Sequence, residues 1–175
     1  MQVNITKHPT HRWYHNFLHK VFGYTNEQAV YVQIDKWDTW SMDHTLAHIV
    51  APMLVQLRDT THSFTTVDIE ERPEHLIGTL PAPNSHEPDE FAEQAWEWVL
   101  NEMIFAFESK SKDWEQQFYS GESDRVFKDL ENGYIEWLEG PNHTFKIDME
   151  GMKAYQDRIT NGFRLFGKYY ENLWD

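Results

Sequence analysis

The sequence predicts an α+β domain, mainly helical, with three to five helices packed on a small sheet of two to four short strands. Three observations point there. Apolar residues recur at steps of three and four in the segments 42–57, 90–108 and 155–173, which is helical spacing. Val30, Val32 and Ile34 alternate with Tyr31 and Gln33 at the two-residue period of a strand. The 175 residues are the size of one domain and can bury roughly 70% of their unfolded surface behind a single core. With 8 Trp, 8 Tyr and 11 Phe, aromatic rings must supply much of that buried area.

In chain order, Trp13, Phe17, Val21 and Phe22 predict a short amphipathic helix that Gly23 is placed to end. The strand over 30–34 closes at Asp35. Next, KWDTWSMDHT offers Asp38, Thr39 and Ser41 as N-caps for the longest helical pattern, in which Met42, Leu46, Ile49, Val50, Met53 and Leu57 share one face. Pro52 lies inside that pattern, so the helix either kinks there or gives way to a second one with proline in its first turn. Residues 60–89 hold four of the seven prolines and no sustained period, which predicts a long loop with a turn near 74–76.

The helix over 90–108 carries Phe91, Ala95, Trp98 and Phe105 on one side and Trp96, Leu100, Met103 and Phe107 on the other, so it should be buried from two directions. Trp114 and Phe118 continue the pattern weakly until Gly121. Segments 134–138 and 144–147 read as short strands of one hairpin, joined through Glu139, Gly140, Pro141 and Asn142. Tyr155, Ile159, Phe163, Phe166, Tyr170 and Leu173 form a stripe that runs helically to the end of the sequence. Gly162 and Gly167 each cost about 1 kcal/mol against alanine in that helix and so suggest close packing. No repeat or linker interrupts 1–175, and a single domain is expected.

Composition narrows the function. A net charge of -14 opposes phosphate backbones, so nucleic acid is not an expected partner. The absence of cysteine excludes disulfides, thiolate nucleophiles and Cys-ligated metals, and suits a reducing compartment. Neither an apolar signal region nor an 18-residue apolar run is present, which leads to an expectation of no membrane and a cytoplasmic location. Glycine-rich phosphate loops, nucleophile elbows, kinase signatures and EF-hand spacing are missing; no cofactor is expected and an enzyme is not favoured.

Candidate site residues gather where the strand meets the helix: Asp35, Trp37, Asp38, Trp40, Ser41, Asp43, His44 and His48. Helix N-terminal amides converge at such a junction, yet caps and aromatic plugs are needed there in any case. His44 and His48, four apart, have the spacing of two zinc ligands on one helix face, without the glutamate of an HExxH motif; the alternative is a solvated or interface pair. Glu102 interrupts an apolar face, so it is either a functional acid or the partner of an Arg or His on a neighbouring helix. Arg164 and Lys168, one turn apart with Arg158 and Tyr169 close in sequence, have the chemistry to grip a phosphate or carboxylate, unless they are a solvated basic face at a helix C-terminus. The acids of 68–74 and 87–93 read as solubilising.

Three segments, VQIDKWDTWSMDHTLAHIVAPMLVQL, WEWVLNEMIFAFE and ITNGFRLFGKYYENLWD, together about a third of the chain, resemble a protein family of tailed-phage genomes. The resemblance implies a phage accessory protein in the host cytoplasm, and no particular activity. Three functions follow as expectations. The first and favoured one is a binding protein that sequesters a nucleotide-like host immune signal, with Trp37 and Trp40 stacking its ring, Arg158, Arg164 and Lys168 holding its anionic group, and Asp43, His48 and Glu102 lining the same site. Another is a metal-dependent hydrolase using Asp43, His44, His48 and Glu102. The last is an acidic inhibitor or adaptor that binds a host protein. The two-sided helix and an Ala51, Val55 patch further suggest a homo-oligomer.

Overall fold

The computed structural model describes residues 1–5, 13–23, 28–78, 89–129 and 133–174. The fold is α+β and mainly helical, as expected. Its contacts divide the chain into two units, Met1–Thr45 and Leu46–Asp175.

The first unit contains β1 (Gln2–Ile5), α1 (Trp13–Phe22) and β2 (Val30–Gln33). β1 runs antiparallel to β2, with Gln2 opposite Gln33 and Ile5 opposite Val30. Four residues are too few to show an alternation, so β1 escaped the sequence reading. α1 stops where expected: Gly23 adopts φ +65° and its N–H donates to the His19 carbonyl at 2.9 Å. None of the described residues of this unit is buried.

α2 (Met42–Thr60) is continuous through Pro52. The face it buries differs from the expected one: Ala47, Ala51 and Leu54 enter the core, while Met42, Leu46 and Met53 stay 57%, 42% and 60% exposed. These three side chains share the core with a neighbouring helix. That neighbour is α3 (Ala92–Lys110), which is buried over most of its circumference through Ala95, Trp96, Val99, Leu100, Met103, Ile104 and Phe107. Arg58 Nη1 donates to Asn101 Oδ1 across the pair at 2.9 Å.

Between these helices the long loop is anchored rather than loose. Val67 is 1% exposed, and 3-10 turns form at Ile69–Glu71 and at the expected Glu74–Leu76. Arg72, buried, donates through Nε and Nη2 to the Val67 carbonyl at 3.0 and 2.8 Å and through Nη1 and Nη2 to the Asp89 carboxylate at 2.8 and 2.9 Å. The guanidinium holds Asp89 below the usual carboxylate range. The remainder of the loop, 79–88, lies outside the described residues.

After α3 come a 3-10 turn (Trp114–Phe118), β3 (Tyr119–Ser120), β4 (Arg125–Asp129), β5 (Ile135–Glu139) and β6 (Lys146–Ile147). β5 pairs with β4, Phe127 facing Trp137, and β6 pairs with β3. The expected hairpin of 134–138 with 144–147 is therefore replaced. The segment that was to be its turn folds back on 122–124 instead: Gly140 N–H donates to the Asp124 carbonyl, Asn142 N–H to Asp124 Oδ2 and Thr144 N–H to the Glu122 carbonyl, at 2.9–3.0 Å.

α4 (Met149–Lys168) starts at Asp148, whose carboxylate caps the Gly151 N–H at 2.9 Å. Instead of continuing to the end, it passes into a 3-10 turn, Tyr170–Asn172. Gly162 sits against α3 so closely that a Cβ there would lie 2.4 Å from the Glu102 carbonyl oxygen and 2.6 Å from Ala106 Cβ. Gly167 has nothing within 4 Å, so the close packing expected at both glycines holds at one. Among the described residues no helix is long and apolar enough to cross a membrane.

The two glycines make a matched test. Gly162→Ala should lower stability by about 1–3 kcal/mol, because α3 backbone must give way. Gly167→Ala should raise it by about 0.5–1 kcal/mol through helix propensity alone. Urea midpoints of the two variants should move in opposite directions; movement in the same direction would contradict the close approach.

Candidate functional site

In the first unit, the turn after β2 carries Trp37 and Trp40, 66% and 83% exposed. Asp38 shapes this turn: its carboxylate accepts from the Met1 amino group and from the Asp35 N–H, each at 2.7 Å. The amino group, and then the Asp35 amide, hold the Asp38 carboxyl below its ordinary range. Thr45 Oγ1 donates to the carbonyls of Asp38 and Ser41 at 3.2 Å, securing the start of α2. The two indoles stand 6.5 Å apart at 55° and, with Ser41, border an open depression of about 310 Å³. Lys36 Nζ lies 5.0 Å from the Trp37 ring centre. A planar ligand needs near-parallel walls to be sandwiched, so this tilt offers one indole face at a time.

Asp43 and His44 occupy the first turn of α2 and His48 the second, all three exposed. Among the described residues, no three His, Asp or Glu side chains are grouped so as to hold a metal ion. His44 and His48 keep their spacing on the helix, and among the described residues no third ligand joins them.

In the second unit, Glu102 is 7% exposed and paired with Arg158 of α4. Arg158 Nε donates to both carboxylate oxygens at 3.2 and 2.9 Å, and Nη2 to Oε1 at 2.7 Å. The guanidinium also lies 3.8 Å from the Phe105 ring centre. Carboxylate and ring face together hold the cation, and the Glu102 hydrogen bonds raise the Arg158 pKa. Of the two alternatives left open for Glu102, the geometry is that of an interhelical ion pair.

Arg164 and Lys168 do grip an anion, and it is a side chain of the chain itself. Arg164 Nη1 donates to Glu71 Oε1 at 2.7 Å and Nη2 donates to Oε2, while Asn161 Oδ1 accepts from Arg164 Nε at 3.1 Å. Lys168 Nζ reaches Glu71 Oε1 and Asp68 Oδ2, both at 2.7 Å. First the Arg164 hydrogen bond and then that of Lys168 push the Glu71 carboxyl down to about 2. Nothing in the sequence marks this pairing, because 93 residues separate Glu71 from Arg164 and the acids around it read as solubilising. Arg158 and Arg164 thus serve separate acids, and the predicted basic residues do not act as one clamp.

A concave surface that the sequence reading missed lies between α2 and the end of α4. This groove of about 770 Å³ is lined by Val50, Met53, Leu54, Gln56, Leu57 and Thr60 on one side and by Phe166, Tyr170, Leu173 and Trp174 on the other. None of these side chains is charged, and Met53, Tyr170 and Trp174 are 60%, 64% and 66% exposed. Tyr169 fixes its far wall: buried, edge-on to Trp96 with 5.8 Å between ring centres, it accepts from the Asp68 N–H at 3.2 Å. Asn172 Nδ2 donates to Thr65 Oγ1 at 3.0 Å and holds the chain just before Leu173 and Trp174. With no carboxylate, histidine, lysine or arginine among its lining residues, the groove is suited to burying apolar side chains. Its sequence signal was Met53, read as core because its stripe was assigned to the buried face of α2.

The Glu71 clamp has a pH signature. Its folded-state pKa is lowered from 4.5 to about 2, so its contribution is complete above about pH 4.5 and is lost as pH falls toward 2. Glu71→Gln should reduce the urea midpoint at neutral pH and leave it nearly unchanged near pH 2. A variant that loses the same amount at both pH values would mean the carboxylate charge is not what matters.

No family model, curated protein or solved structure matches this chain.

Proposed function

We propose that this protein is a non-enzymatic protein-binding module, and that it grips an amphipathic helix in the groove between α2 and α4. One observation carries the reading: a long concavity with uncharged walls leaves three large side chains more than half exposed. Apolar surface costs about 25 cal/mol per Å² while it faces water, and contiguous apolar patches mark sites of association. The α2 wall from Val50 to Thr60 rises about 15 Å, which matches three turns of a docked helix.

The charged candidates support the same reading. Glu102 is spent on Arg158, and Glu71 on Arg164 and Lys168, so a nucleotide-like ligand at the basic pair must first displace a carboxylate. In the phage setting implied by the sequence resemblance, the protein is an accessory factor that acts by occupying a protein surface.

Labelled helical peptides with apolar residues at i, i+4 and i+8 provide the test, beside scrambled peptides of equal composition. The spaced peptides should bind in fluorescence anisotropy, and Met53→Asp should weaken them by about tenfold or more, a loss of ~1.4 kcal/mol. Equal binding of scrambled peptides, or affinity indifferent to Met53→Asp, would sink the reading. So would a set of peptides that fails to bind while a nucleotide raises the melting temperature.

A further inference from the structure

α1 is an amphipathic helix with its apolar side uncovered. Trp13, Phe17 and Val21, at i, i+4 and i+8, are 86%, 62% and 53% exposed. A helix of ten residues is marginal in water by itself, and so is the two-stranded β1–β2 sheet beside it in the same unit. With none of its described residues buried, this unit needs a cover that is present whenever the chain folds. Another copy of the same chain is the one polypeptide always made in that proportion.

The groove supplies a matching surface. Ten helical residues span about 15 Å, the length of the α2 wall, and three anchors one turn apart suit a helix-in-groove contact. Charge points the same way. The first 26 residues contain Lys7, Arg12, Lys20 and four histidines but no Asp or Glu, so all 29 acids lie beyond them. A basic arm is thereby joined to an acidic remainder, and the two attract each other between copies. Trp13, Phe17 and Val21 are exposed in the first unit, and Met53, Tyr170 and Trp174 in the second.

We infer that α1 of one copy docks in the α2–α4 groove of a second copy, and reciprocally, so that the protein works as a twofold homodimer. This rests on the reading of the groove as a helix-binding site and names the helix it holds. Trp13, Phe17 and Val21 bury against Met53, Leu57 and Phe166, and the symmetric contact closes both grooves at once.

The full chain contains no cysteine, which makes disulfide trapping clean. Sedimentation of the unmodified protein should give a dimer, and Phe17→Asp or Met53→Asp, both at exposed positions, should give a monomer with an unchanged circular dichroism spectrum. Phe17→Cys protein mixed with Met53→Cys protein under mild oxidation should form a covalent heterodimer in preference to Phe17→Cys mixed with Lys128→Cys. A monomer at every concentration would overturn the inference, as would a dimer that survives both aspartate variants. A crosslink that forms only within one chain carrying both cysteines would overturn it too. Failure here is separable from failure of the groove itself: an unmodified protein that is a monomer and binds the spaced helical peptides leaves the groove reading standing and removes the second copy, whereas a Phe17→Asp protein, its groove free of α1, that fails to bind them removes both.

Discussion

Glu102 meets α4 twice. Its carbonyl oxygen lies where a Cβ on Gly162 would sit, and its carboxylate takes the Arg158 guanidinium. The first contact sets how near two helices approach, and the second fixes how one is placed along the other. Removing the half-exposed Arg158 would leave a buried acid uncompensated, so the arrangement resists sliding as well as separation. Everything farther along α4 inherits that placement. Leu165 and Tyr169 enter the core, Arg164 and Lys168 come to face the acids of the long loop, and Phe166 reaches the edge of the groove.

Three acids of the second unit hold its own parts together. Glu71 fastens the loop to α4, Asp89 fastens it to Arg72, and Glu102 fastens α3 to α4. Large apolar side chains stay exposed in the groove, on α1 of the first unit, and on both faces of the β4–β5 ribbon, where Val126, Phe127, Trp137 and Leu138 are 48%, 59%, 59% and 40% exposed.

How much of this was legible depends on whether the signal was local. The ends of α1, the position of β2 and the two-sided burial of α3 follow from periodicity and from Gly23, and all were read correctly. The buried face of α2 differs from the expected one because Ala47, Ala51 and Leu54 join the core that α3 provides, and that neighbour is invisible in the sequence. The expected hairpin gave β5 the wrong partner because 125–129 was not assigned as a strand, although the turn dipeptide Asn132-Gly133 stands between that segment and β5. Glu102 announced its need for a cation, and Arg158 answers it from 56 residues away. Glu71 gave no such notice, since an acid in a polar loop looks the same whether or not a distant arginine awaits it.

The buried guanidinium of Arg72 has a further consequence. It binds a backbone carbonyl before it in sequence and a carboxylate 17 residues after it, so the two ends of the intervening stretch are stapled to each other without a covalent link. A protease that severed the chain between residues 73 and 88 would leave both new ends moored to the same buried cation. The nicked molecule would keep its two pieces together through that cation as well as through the core they share, and in a gel without denaturant it would run as though whole.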